Sequence, residues 1–277
     1  MVGIDCFTDY YDPAIKEENA RSLALRRLDL AADELDFQGF DGIFHLAGQP
    51  GVASFGSVYA QYLERNELAS QRVFEAAARD GVRVVFASSS SVYGVASSYP
   101  TPEDTVPMPI SPYGISKLAT EHLAAAYSRA FGLDVVVLRY FTVFGPRQRP
   151  DMAFTRIAQA LAHQRPFDLY GDGRQTRTWI YVADVVEATL LAMERGSGLY
   201  NVGGSVEASV RDVIAEFEQL AGRKLDLREH PAVRGDNART SADTARIRAD
   251  LGWEPRTSLE QGLAAQWEWV RTRVEAA

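Results

Sequence analysis

One cysteine, Cys6, in 277 residues excludes an intramolecular disulfide framework and any paired-cysteine metal or redox site. Basic residues are also in deficit: 29 Lys and Arg face 37 Asp and Glu, for a formal net charge of −8. Such a surface offers no electrostatic footprint to nucleic acid, so any anionic ligand must be met by individual arginines. No apolar run reaches the ~18 residues of a membrane span, and no charged-then-apolar leader opens the chain. These absences predict a cytoplasmic chain with no membrane partner, no nucleic-acid partner and no metal centre. No fixed-period repeat or low-complexity tract is visible.

What is present is ample core, with 46% apolar residues. In the first half, short β-branched or aromatic runs alternate with stretches of helical period, the pattern of a parallel sheet covered by helices. Strands are predicted at Val2–Ile4, Arg27–Leu30, Gly42–Ala47, Val82–Ser88 and Val135–Tyr140, and helices at Val58–Ala78 and Tyr113–Phe131. After Pro146 the texture changes. Pro, Gly and Arg gather at Gly145–Pro150 and Tyr170–Thr178, which read as loops of a second lobe. Apolar runs at Trp179–Val182 and Leu199–Val202 flank a helix at Asp184–Glu194, and further helices follow near Val210–Ala221, Asp243–Leu251 and Leu259–Val274.

Chemistry concentrates in two segments. Val84-Val85-Phe86-Ala87 runs into four serines, Ser88 to Ser91, placing hydroxyls at the carboxyl end of a strand, where α/β sites lie. Downstream, Tyr113 and Lys117 stand four residues apart and share one helix face. Using a tyrosine as a base near pH 7 requires lowering its pKa by roughly 3 units, about 4 kcal/mol, and a neighbouring ammonium contributes to that. The spacing alone is weak, arising by chance in about one such chain in eight; the order strand, hydroxyl cluster, Tyr-Lys helix gives it meaning. Asn66 falls on the apolar face of its helix with Tyr62, Ala69, Val73 and Ala77, where a polar amide needs a partner.

Together with Gly3-Ile4-Asp5, Asp9-Tyr10-Tyr11, His45-Leu46-Ala47-Gly48, Arg139 through Arg147, Arg149 through Ala153 and Gly171 through Arg177, these segments resemble the NAD-dependent nucleotide-sugar epimerase/dehydratase family of extended short-chain dehydrogenases/reductases. They span nearly the whole chain in the family's order. The resemblance implies a doubly wound, Rossmann-like α/β fold with a smaller C-terminal α/β substrate lobe. Residues 1–145 would be the dinucleotide-binding region, to which the chain returns at about 179–202, and 146–277 mainly the substrate lobe.

It further implies Tyr113 as base, Lys117 as its pKa-lowering partner and ribose ligand, and Ser89 as the hydrogen bond to the reacting hydroxyl. Asp5, Asp29, Leu30, Leu46, Ala47, Gly48, Asn66, Tyr140 and Phe141 would complete an NAD site. Ser90, Ser91, Thr142, Arg149, Arg177 and Arg234 would join Ser89 around a nucleotide sugar, a UDP-hexose, in a homodimer. Ser90 and Ser91 stand where dehydratases carry an acidic pair, so elimination lacks its acid and base and 4-epimerisation is favoured.

The chain departs from the family pattern in three places. No Gly-x-x-Gly-x-x-Gly strand-turn-helix precedes Val2, and Ala53 and Thr178 replace an arginine and an aspartate. The first departure predicts a truncated sheet, parallel pairing from Val2 without a gapless 3-2-1-4 order, and weak NAD binding. A 4,6-dehydratase, a reductase and an inactive remnant stay open as alternatives.

Overall fold

The computed structural model describes residues 1–51, 56–232 and 237–275; Ala53 and Arg234 lie outside them. The first part of the chain runs β1 (Val2–Asp5), α1 (Pro13–Ala20), β2 (Ala24–Arg27), β3 (Gly42–His45), a 3-10 turn (Gly56–Val58), α2 (Tyr59–Tyr62), a π-helical segment (Leu63–Leu68), α3 (Ala69–Asp80), β4 (Arg83–Ser89), a second 3-10 turn (Ser90–Tyr93), α4 (Pro112–Phe131) and β5 (Val135–Tyr140). It continues with β6 (Val143–Phe144), α5 (Ala153–His163), β7 (Phe167–Tyr170), β8 (Thr176–Thr178), β9 (Ile180–Tyr181), α6 (Val182–Arg195), β10 (Gly198–Val202), β11 (Glu207–Ser209), α7 (Val210–Ala221), β12 (Leu227–His230), β13 (Arg239–Thr240), α8 (Ala245–Leu251) and α9 (Leu259–Glu275).

The main sheet is parallel in the order β10-β5-β4-β3. Its central strands are apolar on both faces because both are covered. Val84, Phe86 and Val137 meet Val73, Phe74 and Ala77 of α3 and Ala124 of α4 on one side. On the other, Val85, Val136 and Leu138 meet Val185, Ala188 and Ala192 of α6, with Ile247, Leu251 and Trp253. This is the doubly wound α/β arrangement the sequence predicts. Residues around α8 also return to the main sheet, a return beyond that at 179–202.

β1 and β2 form their own parallel pair, Val2 opposite Ala24 through Asp5 opposite Arg27, and neither is hydrogen-bonded to the main sheet. Ile4 and Ile43 nonetheless pack on the same core. A break in hydrogen bonding therefore separates β1 from β3, and no gapless 3-2-1-4 order forms. β2 also lies earlier than the predicted Arg27–Leu30. Asp29 ends it: its carboxylate accepts from Ala31 N at 2.9 Å and its carbonyl from Ala32 N and Asp33 N, curling the chain into a turn.

A second core joins α5, α7 and α9 through Phe154, Ile157, Leu161, Val213, Phe217, Leu263 and Trp267, with Phe144 and Trp179 between them. α5 was not foreseen, although Phe154, Ile157, Ala158 and Leu161 follow the i, i+3, i+4, i+7 rule. The stretch predicted as loop at Tyr170–Thr178 contains β8, which pairs antiparallel with β11 and parallel with β13. The strand predicted at Trp179–Val182 is only two residues long, because Val182 already begins α6. Among the described residues no helix is long and apolar enough to cross a membrane.

Candidate active site

The carboxyl ends of β3 and β4 face the first turns of α4, and this junction gathers the reactive side chains. α4 starts sharply because the Ser111 hydroxyl accepts from Gly114 N at 3.1 Å and Pro112 occupies its first turn, an N-cap with a pre-set φ. Gly114 permits a close approach. A Cβ there would lie 2.5 Å from the carbonyl oxygen of Ser91, so only glycine lets the helix meet the serine turn this tightly.

Tyr113, on that first turn, brings its phenol beside the Ser89 hydroxyl, near enough to feel it, and into the field of Arg149. Its ring centroid is 6.4 Å from that of Tyr62. Burial raises the phenol's pKa, while the Ser89 hydrogen bond and the Arg149 charge act in the lowering direction. Ser89 is itself oriented: its Oγ accepts from Ser91 N at 3.2 Å and donates to Ser91 Oγ at 3.1 Å. Ser90 continues the same turn.

Lys117 is 5% exposed. Its ammonium donates to the carbonyl of Ala87 at 2.9 Å, and lies 4.9 Å from the ring centroid of Phe86 and 6.0 Å from that of Tyr113. Burial lowers its pKa to about 8, with the charge of Glu121 pulling the other way. The ammonium thus reaches toward the phenol ring without bonding its oxygen. Behind it, His45 is bonded to Ser70 at 2.8 Å and its pKa is lowered to about 3, by burial first and then by Lys117, so the imidazole is neutral near pH 7.

Asn66 finds the partners its apolar surroundings demand. Its Oδ1 accepts from Gln49 N at 2.6 Å, and its Nδ2 donates to the carbonyl of Gln49 at 3.1 Å and to Ser116 Oγ at 2.9 Å. The helix predicted at Val58–Ala78 is not α-helical throughout: Asn66 belongs to the π-helical segment, a distortion that recurs at functional sites. The amide clamps the loop after β3, helped by Arg65, which donates to Gln49 Oε1 at 3.0 Å. A Cβ on Gly48 would stand 2.9 Å from Asn66 Oδ1 and 3.3 Å from Lys117 Nζ, so this loop presents bare backbone to the site.

The remaining sequence-predicted residues are distributed around this centre. Leu46 is 60% exposed, and Ala47 and Gly48 are exposed beside it, forming a rim rather than core. Asp5 accepts from Phe7 N at 2.6 Å at the end of β1, and Asp29 caps its turn, with Leu30 packed on the core beneath. Phe141 packs against Val92 and Tyr93. Tyr140 is directed to the α6 face instead, bonded to Thr189 at 2.7 Å, with burial raising its pKa to about 12. Thr142 offers its carbonyl to Ile180 N at 3.0 Å. Arg149 grips Asp151 through two hydrogen bonds, at 3.0 and 3.1 Å, and lies over the Tyr10 ring. Arg177 is buried and donates to the carbonyl of Thr176 at 2.8 Å.

Sequence reasoning passed over His45 as a functional neighbour, and also Glu121 and Arg139. The last two carried one signal, a charged residue inside the apolar strand Val135–Tyr140.

Residues 8–203 match the NAD dependent epimerase/dehydratase family. The chain is 37% identical to the uncharacterized UDP-glucose epimerase YtcB of Bacillus subtilis, over 95% of this chain and 87% of that protein. It is 31% identical to the UDP-glucuronate 4-epimerase of Thermodesulfobacterium geofontis, over 99% and 90%. The crystal structure of UDP-glucuronic acid 4-epimerase from Bacillus cereus, in complex with UDP-glucuronic acid and NAD, superposes with a TM-score of 0.94 at 35% identity, covering 98% of this chain and 91% of that one. Fold, the serine-tyrosine-lysine junction and a family match spanning most of the sheet therefore agree: the chain belongs to the NAD dependent epimerase/dehydratase family.

Proposed function

We propose that this chain is an NAD-dependent nucleotide-sugar 4-epimerase acting on a UDP-hexose or its uronate. The observation that carries the reading is the meeting of the Tyr113 phenol, the Ser89 hydroxyl and the Lys117 ammonium at the end of β4, in a serine turn that holds no carboxylic acid. Complexes of its structural relatives with NAD and UDP-glucuronic acid support the choice of ligands.

The residues present fit NAD. Gly48 keeps a backbone cradle open between Asn66 and Lys117 that any Cβ would fill, and Lys117 offers donors suited to a ribose. When bound, NAD would accept the hydride of the sugar's C4 and return it. Tyr113 takes the proton of the 4-hydroxyl, and Ser89 orients that hydroxyl by hydrogen bonding. Lys117 and Arg149 supply the positive field that offsets the burial of the phenol. The 4-keto sugar then turns over so that C4 would take the hydride back on its opposite face, and Tyr113 returns the proton to O4. Arg149 and Arg177 suit the diphosphate because guanidinium stays charged and presents a planar fork of donors; Arg234 joins them in this reading.

Residues 1–145 with 179–202 would serve the cofactor, and 146–277 mainly the substrate. Tyr59, Leu63, Leu68 and Ile115, exposed by 40 to 46% on the helices that carry Asn66 and Tyr113, are the surface through which a homodimer would form. Sedimentation equilibrium tests that assembly.

The chemistry is tested by incubating the protein with NAD and UDP-glucose or UDP-glucuronate and following the C4 epimers by proton NMR. Tyr113→Phe should lower turnover by about 10²–10⁴-fold with little change in substrate binding. Turnover at the wild-type rate would refute the role of Tyr113, and a 4-keto-6-deoxy product would establish a dehydratase instead. Calorimetric titration with NAD separates an enzyme from an inactive chain.

A further inference from the structure

Tyr113, Lys117 and Glu121 recur at four-residue spacing on α4, which stacks them on one helix face. The proposed chemistry uses only the first two. Glu121 is 8% exposed and its carboxylate is fully engaged. Ser88 Oγ donates to Oε1 at 2.5 Å, and Arg139 donates through Nε to Oε1 at 2.9 Å and through Nη2 to Oε2 at 2.7 Å. Arg139 is braced in turn by the carbonyl of Glu103 at 3.2 Å and the Tyr93 ring at 4.6 Å.

These contacts form a ladder between β4 and α4. Three consecutive residues of β4 each meet one member of the helical stack: Ala87 accepts from Lys117, Ser88 donates to Glu121, and Ser89 reaches Tyr113. A buried ion pair is a poor device for stability, since apolar residues of similar volume usually serve as well or better. Its place in this ladder suggests another use. Resting on the epimerase reading above, we propose that Glu121 is a positioning residue for the reaction, pinning the end of β4 to α4 and furnishing the negative charge that holds Lys117 as an ammonium in a dry site.

The groups facing Lys117 make Glu121 the natural source of that charge. β3 contributes His45, which is neutral, and the π-helical segment contributes the uncharged amide of Asn66. α4 contributes Tyr113 and Glu121 themselves. β5 contributes Arg139, on the Glu121 carboxylate, and the loop after β6 contributes Arg149, whose charge acts at Tyr113. Burial pulls the ammonium down, and the charge of Glu121 is what opposes it. Without Glu121, Lys117 would lose its proton at lower pH, and Tyr113 would lose its cationic neighbour in the range where it must act as base.

The chain has only three lysines, Lys16, Lys117 and Lys224, so carbon-13 lysine labelling gives three ε-carbon NMR signals and a direct titration of Lys117. In Glu121→Gln the Lys117 midpoint should fall by about 1 pH unit, and the alkaline limb of the kcat profile should fall with it. Glu121→Asp, which keeps the charge, should restore both. If the single change unfolds the chain, Glu121→Gln combined with Arg139→Gln, in which two amides replace the ion pair, should still lower the midpoint, by less because a cation leaves with the carboxylate. An unmoved Lys117 midpoint in either folded variant, with kcat lowered equally at all pH values or not at all, overturns the proposal. The epimerase reading fails separately, when Tyr113→Phe turns over at the wild-type rate, and the NMR titration is read independently of that result.

Discussion

Replacing Asn66 with alanine tests whether one amide holds the loop after β3 in place. The change removes the acceptor for Gln49 N and the donor to Gln49 O, both on a residue only 3% exposed. Ser116 loses one partner but keeps the carbonyl of Tyr113 at 2.9 Å. Two orphaned backbone groups at about 1–3 kcal/mol each, partly relieved by entering water, give an expected destabilisation of about 2–4 kcal/mol. The assay needs a suitable probe. Trp179, Trp267 and Trp269 belong to the second core and Trp253 packs on the α6 face of the main sheet, so their fluorescence does not single out the loop held by Asn66, whereas far-UV circular dichroism during urea unfolding follows the helices around it. Asn66→Asp is the control: its carboxylate still accepts from Gln49 N but cannot donate to Gln49 O, so it should be no more stable than the alanine variant. A loss below about 1 kcal/mol in Asn66→Ala would show that the loop is held by other contacts.

Gly114→Ala drives a Cβ to 2.5 Å from the Ser91 carbonyl and should displace the start of α4 at a cost of about 1–3 kcal/mol; kcat should fall more than KM rises, and unchanged kinetics would refute the close-approach argument. His45 titrates near 6.5 when unfolded but at about 3 when folded, so the unfolded chain binds the extra proton and stability falls as pH drops from about 6.5 toward 3. Relative to His45→Gln, the wild type should lose about 1.4 kcal/mol per pH unit in that window, measured by urea midpoints between pH 4.5 and 6.5; parallel curves would contradict it. Gln266 of α9 accepts from Gly145 N at 3.0 Å and donates to Gln148 at 3.0 Å and Thr155 at 3.2 Å, tying down the loop that bears Arg149. Gln266→Leu should raise KM for the nucleotide sugar roughly tenfold with kcat within about twofold, and steady-state kinetics showing the reverse pattern would exclude a binding role for this loop.

Features with local causes were legible in the sequence. Val135–Tyr140 opens on three consecutive valines and ends on a tyrosine, and it forms a strand with those limits. Val210–Ala221 is bounded by a Ser209 cap and Gly222, and the helix obeys both. The Tyr113–Lys117 spacing likewise survives as a shared face, because helical geometry fixes it. Features decided by distant partners were not legible. β2 is exposed and low in apolar content, and it exists because β1 lies beside it. The direction of Tyr140 follows from which helix covers each face of β5, and Glu121 meets Arg139 only once α4 packs on the sheet. The interruption of the helix at Leu63–Leu68 leaves the apolar period almost untouched, so no pattern of residue types announces it.

That interruption makes the loop clamp heritable as a single-residue event. A π-helical turn accommodates a residue more than an α-helical turn, and each residue in an α-helix rotates the face by about 100°. Deleting one residue between Leu63 and Leu68 would relax the segment to α-helical geometry; the π turn absorbs that rotation, so the helix on both sides would keep its facing and only residues within the turn would change theirs. Val73, Phe74 and Ala77, which anchor α3 to the sheet, would keep their places. An in-frame loss of three nucleotides therefore disconnects Asn66 from the site while the core stays packed, and an insertion of the same size is the reverse route by which an ordinary surface helix acquires an inward-facing amide.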